Sequence, residues 1–85
     1  MNKQVVDLIK NYVQRLQEKD LEFLHSRYRG RYCGDVAEIV QFLQQNSEVD
    51  RWLSQAKTGN GLLDKVDIIG QYVDAEFSKL TTAHN

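Results

Sequence analysis

The chain has 85 residues, which is enough for one small folded domain and too few for a series of domains. Its composition, 41% hydrophobic and 27% charged, is that of a globular protein and excludes a disordered polypeptide. The formal net charge of −1 excludes a uniformly basic nucleic-acid-binding surface, and the single cysteine, Cys33, excludes an internal disulfide and is typical of a reducing compartment. No apolar run has the length of a membrane span, and Asp7 interrupts the apolar core of any signal peptide, so we expect a cytoplasmic protein without a membrane partner.

The first predicted helix is amphipathic and begins at Asn2 or Lys3. The side chain of Asn2 can accept an early backbone N–H and so cap the helix. The apolar residues recur at the i, i+3, i+4 spacing of one helix face and are Val5, Leu8, Ile9, Tyr12, Val13 and Leu16.

Residues 18–32 allow two interpretations. If the first helix continues, its buried face would include Lys19, Asp20 and Arg27, which is unfavourable for a core. If a new helix begins with Asp20 as its cap, the apolar face improves. That face consists of Leu21, Leu24, His25 and Tyr28. Both interpretations stay open, and both end the segment at Gly30.

A third helix is predicted after a turn at residues 33–35. We expect Asp35 to cap it and Glu38, three residues later, to complete a capping box. Its buried face consists of Val36, Ile39, Val40 and Leu43. Phe42 points away from this face.

A fourth, short helix is predicted after residues 44–46. We expect Ser47 to cap it, with Asp50 in the position that glutamate usually takes in a capping box. Its buried face consists of Val49, Trp52, Leu53 and Ala56, and Gly59 follows its end.

The longest predicted helix begins at Asn60 or Gly61 and ends at Leu80. Its main apolar face consists of Leu62, Val66, Ile69, Val73, Phe77 and Leu80, and a second apolar strip consists of Ile68, Tyr72 and Ala75. A helix apolar over more than half its circumference has neighbours on more than one side, and Gly70 would allow one of them to approach closely. The sequence therefore predicts an all-α fold in one domain, residues 1–85. Four or five helices form a compact bundle around this C-terminal helix, which we expect to be the most buried element.

Residue patterns for catalysis or metal binding are weak. His25 lies beside core positions, His84 lies in the C-terminal tail, and Cys33 has no histidine near it in the pattern. Three acidic residues of the longest helix lie on one face, and we interpret this face as solvent-exposed surface and not as a metal site; they are Asp64, Asp67 and Asp74. We therefore expect a protein that is not an enzyme and has neither a metal nor a cofactor.

The most distinctive stretch is R-Y-R-G-R-Y at residues 27–32. Arginine side chains bind phosphate or carboxylate groups, and tyrosine rings fill protein pockets or stack on bases. The same stretch also suits a helix end, where cations meet the negative end of the helix dipole and both tyrosines pack inward. The candidate partner-binding residues are Arg27, Tyr28, Arg29, Arg31 and Tyr32, with Phe42 as an apolar neighbour.

The two parts of the chain have opposite formal charge. Residues 1–34 carry seven cationic and four acidic side chains, and residues 35–85 carry four and eight. These charges either neutralise each other within the fold or direct the basic part toward an acidic partner. Because the acidic part would repel a long polyanion, we predict a small protein that binds another protein as an adaptor, inhibitor or regulator, with nucleic acid as the alternative partner. Surplus apolar residues, Phe23 and Phe42 among them, also predict a homodimer.

Overall fold

The computed structural model describes residues 3–29, 34–55 and 59–83, and these ranges contain five α-helices and no strand. The helices are α1 (Lys3–Gln14), α2 (Glu18–Arg29), α3 (Gly34–Leu43), α4 (Ser47–Ser54) and α5 (Gly59–Ala83). The predicted all-α bundle is confirmed. The predictions about Asn2, Gly30, Cys33, Ala56 and His84 concern residues outside the described ranges.

Helix α5 is the centre of the bundle, as predicted, because α1, α2 and α4 all pack against it. Val66, Ile69 and Val73 are buried on its main apolar face. The opposite face is exposed, and α4 buries a larger share of its length, with three buried residues among eight. The prediction that α5 would be the most buried element is therefore wrong, although its central position is confirmed.

The chain breaks between α1 and α2, so the interpretation with two separate helices is confirmed. The predicted start at Asp20 is wrong, because α2 begins at Glu18 and the N–H of Leu21 donates to the carbonyl of Gln17 at 2.9 Å. Asp20 thus lies within the first turn. The break sets the register in which Leu21 and Leu24 are buried, which a continuous helix would not allow.

The start of α3 also differs from the prediction. The helix begins at Gly34, which places Asp35 inside the first turn instead of at the cap. The carboxylate of Glu38 accepts a hydrogen bond from Arg27 of α2, so it is directed at a neighbouring helix.

Helix α4 is capped by Asn46 and not by Ser47, which is its first helical residue. The Asn46 side-chain oxygen accepts hydrogen bonds from the N–H groups of Glu48 and Val49, both at 3.0 Å. An asparagine cap satisfies two backbone donors that the helix itself leaves unpaired.

The core joins one face of every helix. Its buried members in the described ranges are Ile9, Val13, Leu21, Leu24, Ile39, Leu43, Val49, Trp52, Leu53, Val66, Ile69 and Val73. All of them belong to the apolar faces predicted from the helical spacing. Of the second strip on α5, Ile68 and Tyr72 pack against this core while Ala75 is exposed. No helix in the described ranges is both long enough and apolar enough to span a bilayer.

Candidate functional site

The predicted partner-binding segment lies at the C-terminal end of α2, and the structure describes only part of it. Arg27 and Tyr28 lie in the last turn of α2, and Arg29 is its final residue. Arg31 and Tyr32 lie outside the described residues. Within this segment, side-chain contacts are therefore described for Arg27 and Tyr28.

Arg27 lies on the surface where α2 meets α3. Its Nε donates to the Glu38 carboxylate, and its Nη1 donates to the hydroxyl of Ser26 at 3.1 Å. The guanidinium carbon lies 4.4 Å from the centre of the Phe23 ring, a cation–π contact. The Arg27 side chain remains 35% exposed and that of Glu38 48% exposed. The guanidinium is thus held in one position while part of it faces solvent.

Phe42 reaches this cluster through Phe23. The two ring centres are 5.6 Å apart with a tilt of 35°, and both rings are half-buried. We refer to Phe23, Arg27, Glu38 and Phe42 as the α2–α3 surface. Phe42 is thus linked to Arg27 through the Phe23 ring, and the structure adds Phe23 and Glu38 to the candidate site. The spacing of Phe23 and Arg27, four residues apart on one helix, is the signal that identifies this neighbour.

Tyr28 points in the other direction, into the contact between α2 and α5. Its hydroxyl donates to the backbone carbonyl of Val66 at 2.5 Å. A Cβ atom at Gly70 would lie 2.5 Å from the Tyr28 ring, so the absence of a side chain at Gly70 makes room for the ring. Burial, and then the nearby charge of Asp67, raises the pKa of the Tyr28 phenol above its ordinary value. The Tyr28 side chain therefore stabilises the packing of α2 against α5.

His25 is also part of the contact between α2 and α5. Its imidazole stacks on the Phe77 ring with centres 4.0 Å apart, and its Nε2 lies 3.3 Å from a carboxylate oxygen of Asp74. The histidine side chain is 16% exposed, in agreement with the structural role expected from its place on the apolar face. In the described part of the chain, no three histidine, cysteine or acidic residues are grouped so that they could hold a metal ion.

Contacts between the two oppositely charged parts of the sequence occur in this region. Arg27 pairs with Glu38, so a cationic residue of the first part meets an acidic residue of the second. This pair supports the interpretation in which the two parts neutralise each other within the fold. Because Arg27 already has a carboxylate partner, its charge is partly compensated at the α2–α3 surface.

A separate groove of about 370 Å³ lies between α1 and the start of α4. Leu8, Tyr12 and Leu16 contribute apolar surface to it, and Arg15 and Glu48 contribute charged side chains. Burial, and then the charge of Asp20, raises the pKa of Tyr12 to about 12. We refer to this groove as the α1–α4 groove.

No known family, no curated protein and no solved structure has significant similarity to this chain. The function is therefore inferred from its surfaces alone.

Proposed function

We propose that this chain is a small non-enzymatic protein of the cytoplasm that binds another protein as an adaptor, inhibitor or regulator, and that it does so through the α2–α3 surface. The observation that carries the proposal is the arrangement of Arg27, whose partly exposed guanidinium lies over the Phe23 ring, which in turn packs against Phe42. Arginine and aromatic side chains contribute most of the binding energy in many protein interfaces.

The fixed position of Arg27 favours such a role. Its contacts with Glu38, Ser26 and Phe23 restrict the rotamers of a long side chain before any partner arrives. Less conformational entropy is then lost on binding, so more of the contact energy appears as affinity. Arg27 and Glu38 together also offer a donor and an acceptor at the edge of an aromatic surface, which favours a polar protein partner.

The alternative, a nucleic acid, has weaker support. The Arg27 charge is offset by Glu38, and the exposed face of α5 carries three acidic residues, Asp64, Asp67 and Asp74. These charges disfavour a long polyanion over a wide part of the surface. Tyr28, one of the two rings available for base stacking in the predicted segment, already forms a hydrogen bond with Val66 in the α2–α5 contact.

Self-association through Phe23 and Phe42 is not part of the proposal, although surplus apolar residues suggested it. Each of the two rings covers the other, so the apolar area that they expose is smaller than the sequence indicates. Among the described residues, Leu63 is the one large hydrophobic side chain that is exposed, to 48%.

Affinity capture with matched variants tests the protein-binding proposal. We expect a protein that co-purifies with the wild-type chain from its native cell extract to be lost with Arg27→Ala and reduced with Arg27→Lys, because lysine keeps the charge but not the planar fork. Arg51→Ala is the control, since Arg51 is an exposed arginine of α4 outside the α2–α3 surface. Retention of the same partner by Arg27→Ala, with circular dichroism showing a folded chain, would reject the α2–α3 surface as the binding site.

Fluorescence anisotropy with mixed single- and double-stranded oligonucleotides tests the alternative. We expect no binding at physiological salt. If Arg27, Arg29 and Arg31 all contacted phosphates, the logarithm of the binding constant would fall with the logarithm of the salt concentration at a slope of about −2 to −3. Micromolar binding that shows this slope and disappears when the three arginines are replaced by alanine would make nucleic acid the partner.

A further inference from the structure

We propose that two copies of this chain form a two-fold homodimer through the α1–α4 groove, in which Arg15 of each copy pairs with Glu48 of the other. The argument begins with the apolar floor of the groove. Leu8, Tyr12 and Leu16 follow one another at intervals of four residues and are only half-buried, whereas the neighbouring Ile9 and Val13 are buried. Helices α1 and α4 touch only narrowly, so the fold leaves this line of side chains partly uncovered.

The two walls of the groove carry opposite charges. Arg15 lies just after α1, Glu48 lies in the first turn of α4, and both side chains are exposed. In the described part of the chain neither forms an ion pair, with the other or with any third residue. A groove with one cationic and one anionic wall is complementary to a copy of itself turned by half a rotation. Each Arg15 then meets the partner copy's Glu48, and the contact forms twice.

The occupant of the groove is α1 of the second copy. A helix of 12 residues is about 18 Å long, and two antiparallel α1 helices place their half-buried leucines and Tyr12 against each other. Asn11 and Asn46, both exposed at the groove, supply polar groups for its rim. A domain of this size has a small core, so burial of further apolar surface in a dimer adds to its stability.

A small-molecule ligand fits the groove less well. Such sites use a few precisely placed polar groups inside a concave pocket. Among the described residues no polar side chain is buried, and the polar side chains at this groove, Asn11, Arg15, Asn46 and Glu48, are exposed. The charge pattern and the exposed polar rim are features of a protein interface, and the opposite charges of Arg15 and Glu48 make a second copy complementary to the groove.

Sedimentation equilibrium with charge-reversal variants tests the dimer. We expect the wild-type chain to be a dimer at high micromolar concentration in low salt, and to dissociate more readily as salt rises. Arg15→Glu and Glu48→Arg should each weaken association by about tenfold or more, because each places two pairs of like charges in contact. The variant with both reversals restores the opposite charges and should regain most of the wild-type association.

Matched controls separate the groove from the net charge of the chain. Lys19→Glu and Glu22→Arg make the same charge changes at exposed positions of α2 and should leave the dimer intact. Arg27→Ala should also leave it intact, so loss of the α2–α3 function and loss of the dimer are separable. Where a reversal unfolds the chain by circular dichroism, Arg15→Gln and Glu48→Gln replace it, with weaker association expected.

Three results would overturn the proposal. One is a wild-type chain that remains monomeric at high micromolar concentration in low salt. Another is a dimer that persists in both single reversals. The third is a double reversal that associates no better than the weaker single variant, since the restored opposite charges would then have no effect.

Discussion

The α2–α5 contact and the α1–α4 groove are lined by similar side chains, because each contains apolar residues and a tyrosine. In the first, Tyr28 fits against Gly70 and its hydroxyl reaches the Val66 carbonyl. In the second, Tyr12 lies at an open groove beside exposed polar side chains. One contact is closed and the other is open although both tyrosines are half-buried.

The difference shows how the end of a helix limits packing. The part of α4 that lines the groove is its start, where Asn46 caps the backbone and Glu48 interacts favourably with the positive end of the helix dipole. These polar side chains cannot cover Leu8 and Leu16 as an apolar face would. The α2–α5 contact instead uses the middle of α5, where backbone groups are paired within the helix and a glycine admits the ring.

The largest effect is expected from Val73→Asp, which places a charge in the closed part of the bundle. Val73 is fully buried on α5, and an unpaired buried carboxylate costs several kcal/mol or forces unfolding. Thermal denaturation should show a chain that is unfolded or nearly so. Gln71→Asp introduces the same side chain two residues away on the exposed face and should melt close to the wild type. A wild-type melting temperature for Val73→Asp would refute the core assignment.

A smaller effect is expected from Gly70→Ala. The new methyl group would lie 2.5 Å from the Tyr28 ring, which its hydrogen bond to Val66 holds in place. Overpacking of this kind costs about 1–3 kcal/mol, while alanine in place of glycine returns about 1 kcal/mol of helix propensity. The net result should be a loss of stability in urea denaturation.

The effect of Gly70→Ala on the free energy of unfolding should no longer be unfavourable once the Tyr28 ring is removed. In a Tyr28→Ala background no ring opposes the methyl group, so the helix propensity of alanine should make the change neutral or stabilising. Equal destabilisation in both backgrounds would show that the ring does not limit the approach of α2 to α5.

The smallest effect compares the two tyrosines directly and depends on pH. Both phenols have a raised pKa in the folded protein, about 12 for Tyr12 against an ordinary value of 10.0. The folded chain therefore holds these protons more tightly than the unfolded chain. The stabilisation is fully present below pH 10 and is lost as the pH rises through the folded-state pKa values.

Melting temperatures measured above pH 10 should therefore fall for the wild type and fall less steeply for Tyr28→Phe. At neutral pH this variant should be about 1 kcal/mol less stable, because the hydrogen bond to Val66 is lost. Tyr12→Phe should change the alkaline slope less, since Tyr12 lies at the open groove and water screens its charge. If Tyr12→Phe changed the alkaline slope of the melting temperature more than Tyr28→Phe did, the distinction between the closed and the open contact would be contradicted.

Local features of the sequence were sufficient to predict the helices and the core. Apolar spacing identified every fully buried side chain of the described residues, from Ile9 on α1 to Val73 on α5, because a helix turns its side chains with a fixed period whatever it packs against. The same spacing identified α5 as the central helix. Of the candidate site, the sequence identified Arg27 and Phe42 but not the contact with Glu38.

Helix starts were less predictable because several side chains can cap the same turn. Asp20, Asp35 and Ser47 all have suitable chemistry, yet the structure starts α2 at Glu18, starts α3 at Gly34 and caps α4 with Asn46. The choice depends on which register buries the apolar face, and burial is a property of the assembled bundle.

The direction of each side chain in the candidate site was decided only by the tertiary structure. Arg27 and Tyr28 are adjacent in the sequence, but one faces Glu38 on α3 and the other reaches Val66, 38 residues away. Adjacent residues on a helix point about 100° apart, so neighbouring helices determine which of them is used by the fold and which remains at the surface. The sequence by itself therefore determined which residues form helices and their core, whereas the packing of α3 and α5 against α2 decided that Arg27 lies at the α2–α3 surface and Tyr28 in the α2–α5 contact.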